Sequence, residues 1–298
     1  MRGFLLEVVR EWRDDAVPRL AAALAYYTLF AVAPLGVMAV AIAGAVYGQA
    51  AARGELSARL GELLGPDAAS LVERLLGTVA SSESNILVAV AGGILVVYGS
   101  ARAFLQLQSA LNHVWGITIR PGAVWWRVLL SRLVPFCMVV GTGVLLLVSL
   151  VAGSAMRAVE ETLPVLGDPV ASRLLEAAAW LFVGLLLFSS VFKFLPDVRL
   201  AWRDVWAGGL LTSVFFGVGR YLSSIYLETS GVSSVYGAAG SVVVLLLWVY
   251  YSAQAVLLGA EFTQVRARRR GTGIRPADYA MRVRRVADTD REPLGEEA

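Results

Sequence analysis

Six apolar stretches limit what this chain can become. Five of them, Leu20–Ala52, Ser84–Ala101, Leu133–Met156, Ala177–Phe192 and Thr229–Ala260, contain no Asp, Glu, Lys or Arg. The remaining one, Val205–Leu227, fifth in chain order, carries only Arg220. A helix needs about 20 residues to cross the hydrocarbon core. The apolar part of the first stretch, Ala21–Val46, is ample, and the short fourth is extended by Glu176 and Lys193, which can snorkel at its ends. In lipid every backbone polar group must be bonded within its own segment, which favours helices. The expected fold is all-α, a polytopic membrane bundle of six transmembrane helices.

Composition agrees. Of 298 residues, 57% are hydrophobic and 16% charged, against about 45–50% and 25% in ordinary globular domains. Mean hydropathy is +0.67. A soluble enzyme, a disordered tail protein and a secreted disulfide scaffold are all excluded. The single cysteine, Cys137, allows no internal disulfide, and the single histidine, His113, allows no multi-His zinc site. No cofactor is expected.

Orientation follows from the basic residues. With the N-terminus inside, segments 1–20, 102–132, 193–203 and 261–298 hold 20 of the 26 Lys and Arg. The outer segments hold 5, and Arg220 lies within a span. This asymmetry predicts both termini of a multi-pass membrane protein in the cytoplasm. The first span is too long, and its leader too acidic, for a cleaved signal peptide. The chain divides into a cytoplasmic segment 1–20, a six-helix domain 21–262 and a basic cytoplasmic tail 263–298, whose end, Asp288–Ala298, reads as disordered.

Between the first two spans, residues 54–80 carry leucines at helical spacing on either side of Gly65-Pro66-Asp67. They predict two amphipathic helices on the outer face. The stretch Ala103–Ile119, which holds Gln106, Gln108, Asn112 and His113, suits a surface helix or an extension of span two. Gly44 and Gly48 form a G-x-x-x-G, and Gly208, Gly209, Gly237 and Gly240 are further sites for close helix contact.

Ionisable residues inside a span cost about 2.5–3.5 kcal/mol each and call for a reason. Arg220 lies within span five, with Glu228 two turns on near the same face. Either it forms a structural pair or it contacts an anionic substrate. Arg102, Lys193 and Glu261 lie at similar depth at the inner ends of spans two, four and six, where they snorkel, pair or form an inner gate. Gln254 shares a helical face with Glu261. In span one, Tyr27 belongs to an interfacial aromatic belt or lines a cavity, and Pro34 bends the helix and frees a carbonyl.

The blocks AAALAYYTLFAVAPL (21–35), ALNHVWG (110–116), FKFLPDVRLAWRDVWAGGL (192–210) and SSVYGAAGSVVVLLLWVYYSAQAVLLGAE (233–261), followed by a basic tail, resemble the YihY/BrkB family of bacterial inner-membrane proteins. The resemblance covers residues 10–268 and implies a six-helix membrane protein. Members have been called ribonuclease BN, one branch is linked to virulence and serum resistance, and lipid or solute transport has been suggested for others. The ribonuclease label fits poorly, since the sequence offers no Asp, Glu and His cluster for two metals.

The expected function is secondary transport, or lipid handling, of an unidentified substrate; no ATP-binding G-x-x-x-x-G-K-[ST] loop is present. The alternative is a non-transporting envelope-assembly or regulatory scaffold. An enzyme is not expected. The partners expected are membrane lipids, with anionic headgroups at the arginine-rich tail Arg266–Arg270, a lipid or small-solute substrate, and further copies of the chain as a homo-oligomer; nucleic acid is not expected.

Overall fold

The computed structural model describes residues 2–31, 102–122, 169–229, 238–271 and 275–283. In chain order they form α1 (Arg2–Asp14), α2 (Val17–Ala31), α3 (residues 102–114), β1 (Ile117–Ile119), α4 (Pro169–Phe194), β2 (Val198–Arg199), α5 (Trp202–Thr229), α6 (Ala238–Arg269), β3 (Arg275–Pro276) and β4 (Ala280–Arg282). Three of these helices are long and apolar enough to cross a membrane: α4 over Ala177–Phe194, α5 over Trp202–Leu222 and α6 over Val242–Arg269. They are the fourth, fifth and sixth apolar stretches. The expected second and third spans, the first span beyond Ala31, the outer helices of 54–80 and the tail end lie outside the described residues, as do Gly44, Gly48, Cys137 and Gly237.

Two helix boundaries lie beyond the apolar stretches. α4 starts at Pro169, a residue suited to the first helical position because its missing N–H would be unbonded there anyway. α6 runs for 32 residues, about 48 Å at 1.5 Å per residue. That exceeds a hydrocarbon core of about 30 Å, so the helix carries Arg266, Arg268 and Arg269 in its last turn rather than releasing them into a tail.

α5 packs between α4 and α6, and its sequence shows how. Gly208 faces α6, where a Cβ would meet the Thr263 hydroxyl and come within 2.6 Å of the Gly259 carbonyl oxygen. Gly259 in turn receives Thr212 of α5. Each helix thus presents Gly-x-x-x-Thr to the other. Gly209 faces α4, where a Cβ would meet the Ser189 hydroxyl, and Ser213 one turn on packs over Gly184. Three of these hydroxyls settle their own hydrogen bonds. Thr212 donates to Gly208 O at 2.9 Å, Ser213 to Gly209 O at 2.7 Å and Thr263 to Gly259 O at 2.7 Å. Small residues let the backbones approach, and the back-bonded hydroxyls bury no unmet donor. Farther along, the Tyr251 ring of α6 lies over Gly219, and its hydroxyl donates to Phe215 O at 2.7 Å.

The hydrophobic core gathers where α4 ends, α5 begins and α6 carries its arginines, called here the basic end. Val17, Leu111, Val114, Phe192, Leu195, Val205 and Leu257 are almost completely enclosed there. Toward the other end, large apolar side chains such as Val214, Val218, Leu222 and Leu247 are exposed on the helix surfaces, as a lipid-facing wall requires.

At the basic end the chain returns after α6. Gly271, at φ +67°, turns it back. β3 pairs antiparallel with β2, Val198 opposite Pro276, and β4 pairs antiparallel with β1, Ile117 opposite Arg282. Residues 275–283 therefore form a strap tying the segment after α3 to the segment after α4.

Candidate functional site: a polar cavity at the basic end

The strap crosses the bundle at Asp197. Pro196 follows the last turn of α4, whose final backbone bond runs from Leu195 N to Val191 O. The next residue, Asp197, is 5% exposed. Its Oδ2 accepts from Asn112 Nδ2 at 2.7 Å. Its Oδ1 accepts from the Tyr279 hydroxyl at 2.8 Å and from Gln108 Nε2 at 3.3 Å. Its backbone N donates to Asn112 Oδ1 at 2.8 Å, and its carbonyl accepts from Ala277 N at 3.0 Å. Gln108 and Asn112 are four residues apart on α3 and so share a face. One carboxylate joins α3, the end of α4 and the strap through neutral donors. Each bond to a charged group is worth about 1.5–3 kcal/mol, which offsets the cost of burying the charge.

α3 is fixed from its other side by α6. Gln264 Nε2 donates to Val114 O at 2.6 Å, satisfying a carbonyl that the helix end leaves open. Gly116, at φ +61°, then ends the helix by bonding back to His113 O at 3.0 Å.

Held in this way, α3 forms one wall of a cavity of about 490 Å³. Arg102, Gln106, Ser109 and His113, at spacings of four, three and four residues, run along that wall. Tyr27 lines it from α2, Thr118 from β1, Val283 from the strap, and Asp197 lines it beside Asn112. The stripe combines a guanidinium, an imidazole, an amide and a hydroxyl. Such a set is chemically suited to an anionic or strongly polar group, since a guanidinium matches a phosphate or carboxylate with two parallel bonds.

Two residues singled out by sequence, Arg102 and Tyr27, thus share this cavity. Lys193 lies elsewhere: its ammonium donates to Leu200 O and sits 5.8 Å from the centre of the Trp202 ring. Arg220 lies 4.8 Å from the Trp180 ring of α4, a cation–π contact that gives a guanidinium in a span an aromatic face. Gln254 is half-buried on α6. The Glu228 side chain and Pro34 lie outside the described residues.

Glu261 is fully buried, and its carboxylate lies within 4.8 Å of those of Glu11 and Asp15 from the start of the chain. These oxygens are a hard-cation type of donor set. Arg268, 2.8 Å from Glu11, offsets part of the charge.

Sequence reasoning passed over Asp197, Glu11 and Asp15. Their partners are distant in the chain, Asn112 lying 85 residues from Asp197. The available signals were slight: a Pro-Asp step after span four and acidic residues four apart before span one.

Known proteins resemble this chain at low identity over most of its length. A UPF0761 membrane protein of Alcanivorax borkumensis is 26% identical over 275 residues, 89% of this chain and 60% of the relative. A UPF0761 membrane protein of Stenotrophomonas maltophilia is 28% identical over 258 residues, 84% and 57%. One from Alkalilimnicola ehrlichii is 28% identical over 303 residues, 97% and 61%. The chain spans about three fifths of the length of these relatives. No solved structure matches it. A family model described as virulence factor BrkB extends over residues 8–283, taking in every helix from α2 to α6, the Asp197 junction and the strap, and the chain belongs to that family.

Proposed function

We propose that this membrane protein is a secondary transporter or lipid-handling protein of the bacterial cytoplasmic membrane, and that the Arg102 cavity is its cytoplasmic mouth. The observation that carries this reading is the polar stripe Arg102, Gln106, Ser109 and His113 on a cavity of about 490 Å³. The volume lies in the usual range for small-ligand sites. The excess of basic residues at this end supports a cytoplasmic location. In this reading Arg102 engages the anionic part of a substrate, Tyr27 borders its path from span one, and the strap closes the mouth through Val283. Arg220, on Trp180, is a second contact farther along the path.

The test is mass spectrometry of molecules that co-purify with the protein in native-lipid nanodiscs, comparing wild type with Arg102→Ala and Arg220→Ala. The reading expects a specific lipid or anionic solute to be depleted in Arg102→Ala. A bulk-like profile, identical in all three proteins, contradicts it. The scaffold alternative places the function in the basic tail, whose part beyond the strap holds Arg284, Arg285 and Arg291. Truncation after Val283 separates the two: the scaffold reading expects function to be lost with insertion intact, and the transport reading expects it to be kept. Truncation before Arg275 would remove Tyr279 from Asp197 and confuse the comparison.

A further inference from the structure

α1 is amphipathic in an unusual sense. Its acidic edge faces the protein: Glu11 lies 2.8 Å from Arg268 and Glu7 lies 2.6 Å from Arg269. Phe4 meets the Phe262 ring edge-on at 5.0 Å, and Val8 is buried between these contacts. The opposite face is apolar and turned outward, with Leu5 53%, Leu6 70% and Val9 46% exposed. These three span an arc of about 100° on a helical wheel. Arg13, four residues after Val9, continues that arc, and Arg10, four after Leu6, borders it; both are exposed. With Glu7 and Glu11 engaged by α6, and the exposed Asp14 3.7 Å from Arg10, the outward face is hydrophobic with Arg10 and Arg13 at its edge.

Its location is equally specific. Ala16, at φ +49°, breaks the chain between α1 and α2, and Arg19 N bonds back to Ala16 O as the apolar helix α2 begins. α1 therefore leaves the start of the first apolar stretch at an angle and lies against the last turns of α6. Both contacts put it at the water boundary of the membrane.

We propose that α1 docks on the anionic lipid surface at the basic end, with Leu5, Leu6 and Val9 sunk among the upper acyl carbons and Arg10 and Arg13 in the headgroup layer. An exposed apolar stripe flanked by arginines fits this occupant in both polarity and charge. The arginine-rich end of α6 contributes indirectly, since Arg268 and Arg269 hold the acidic edge away from the lipid.

The test uses the full chain in nanodiscs, in a Cys137→Ser background. Leu6→Cys carries an environment-sensitive fluorophore, and Asp278→Cys, on the exposed strap, is the reference. In phosphatidylglycerol the label at position 6 should be blue-shifted and quenched by nitroxide-bearing acyl chains, while the label at 278 should not. Arg10→Gln with Arg13→Gln should lower the docked-to-undocked ratio of α1 by roughly fivefold per arginine, from about 1 kcal/mol each. A position-6 label as open to a water-soluble quencher as the one at 278 would overturn the proposal. So would protection that persists in detergent and rises with protein concentration, which would make a second copy the occupant.

Discussion

The α4–α5–α6 seams and the cap at the basic end both bury polar side chains, but they satisfy them differently. In the seams the close-contact hydroxyls of Thr212, Ser213 and Thr263 bond within their own helices, four residues back, while Tyr251 reaches across to Phe215 O. What holds the helices together there is shape, a glycine opposite a hydroxyl. In the cap the bonds run between distant segments: Asn112 and Tyr279 to Asp197, Gln264 to Val114. The seams can pack without the cap's bonds. The cap requires α3, α4, α6 and the strap together. A region that depends on several segments at once is rigid while every bond is met and is weakened throughout by the loss of one.

The largest effect expected from a single substitution is in a seam. Gly208→Leu drives a side chain into Thr263 and the Gly259 carbonyl. It should cost about 3 kcal/mol or more, seen as loss of monodisperse protein on size exclusion in detergent. In the cap, Asp197→Ala strips Asn112, Gln108 and Tyr279 of their shared acceptor. A loss of about 2–4 kcal/mol is expected, measured by reversible denaturant unfolding, together with faster amide exchange in 275–283 and little change in α5. Tyr279→Phe removes one of these bonds and should cost about 1–2 kcal/mol, with the same local exchange signature. Arg199→Ala breaks the exposed 2.8 Å pair with Asp278 and should change stability by about 0.5 kcal/mol or less. If Arg199→Ala loosened the strap as much as Tyr279→Phe does, charge rather than the Asp197 junction would be what holds it.

The same contrast explains what was legible in the sequence. The positions of spans four, five and six, the close-contact glycines Gly208 and Gly209, and the single charges Arg102 and Arg220 are local signals, visible as charge gaps, small residues and lone ions in the sequence. Residues 102–114 were readable as helical, but not as a wall of the cap, because their buried side chains Leu111 and Val114 meet partners from other helices. The strands escaped notice because two or three residues show no alternation. Asp197 looked like an ordinary turn residue after a proline. Only closure of the bundle brings Asn112, Gln108 and Tyr279 to it. Likewise the acids of α1 gave no hint that they would meet Glu261 and the arginines at the end of α6.

The central claim is that Asp197 ties α3 and the strap to the end of α4, and so shapes the cavity. The most direct test is a double-mutant cycle on Asn112→Ala and Asp197→Ala, read as unfolding free energy in one detergent. The account predicts that the two substitutions together cost less than the sum of their separate effects by about 1.5–3 kcal/mol, the worth of a bond to a buried charge. Additive losses would contradict it, because the two residues would then stabilise the protein independently and the junction would not exist.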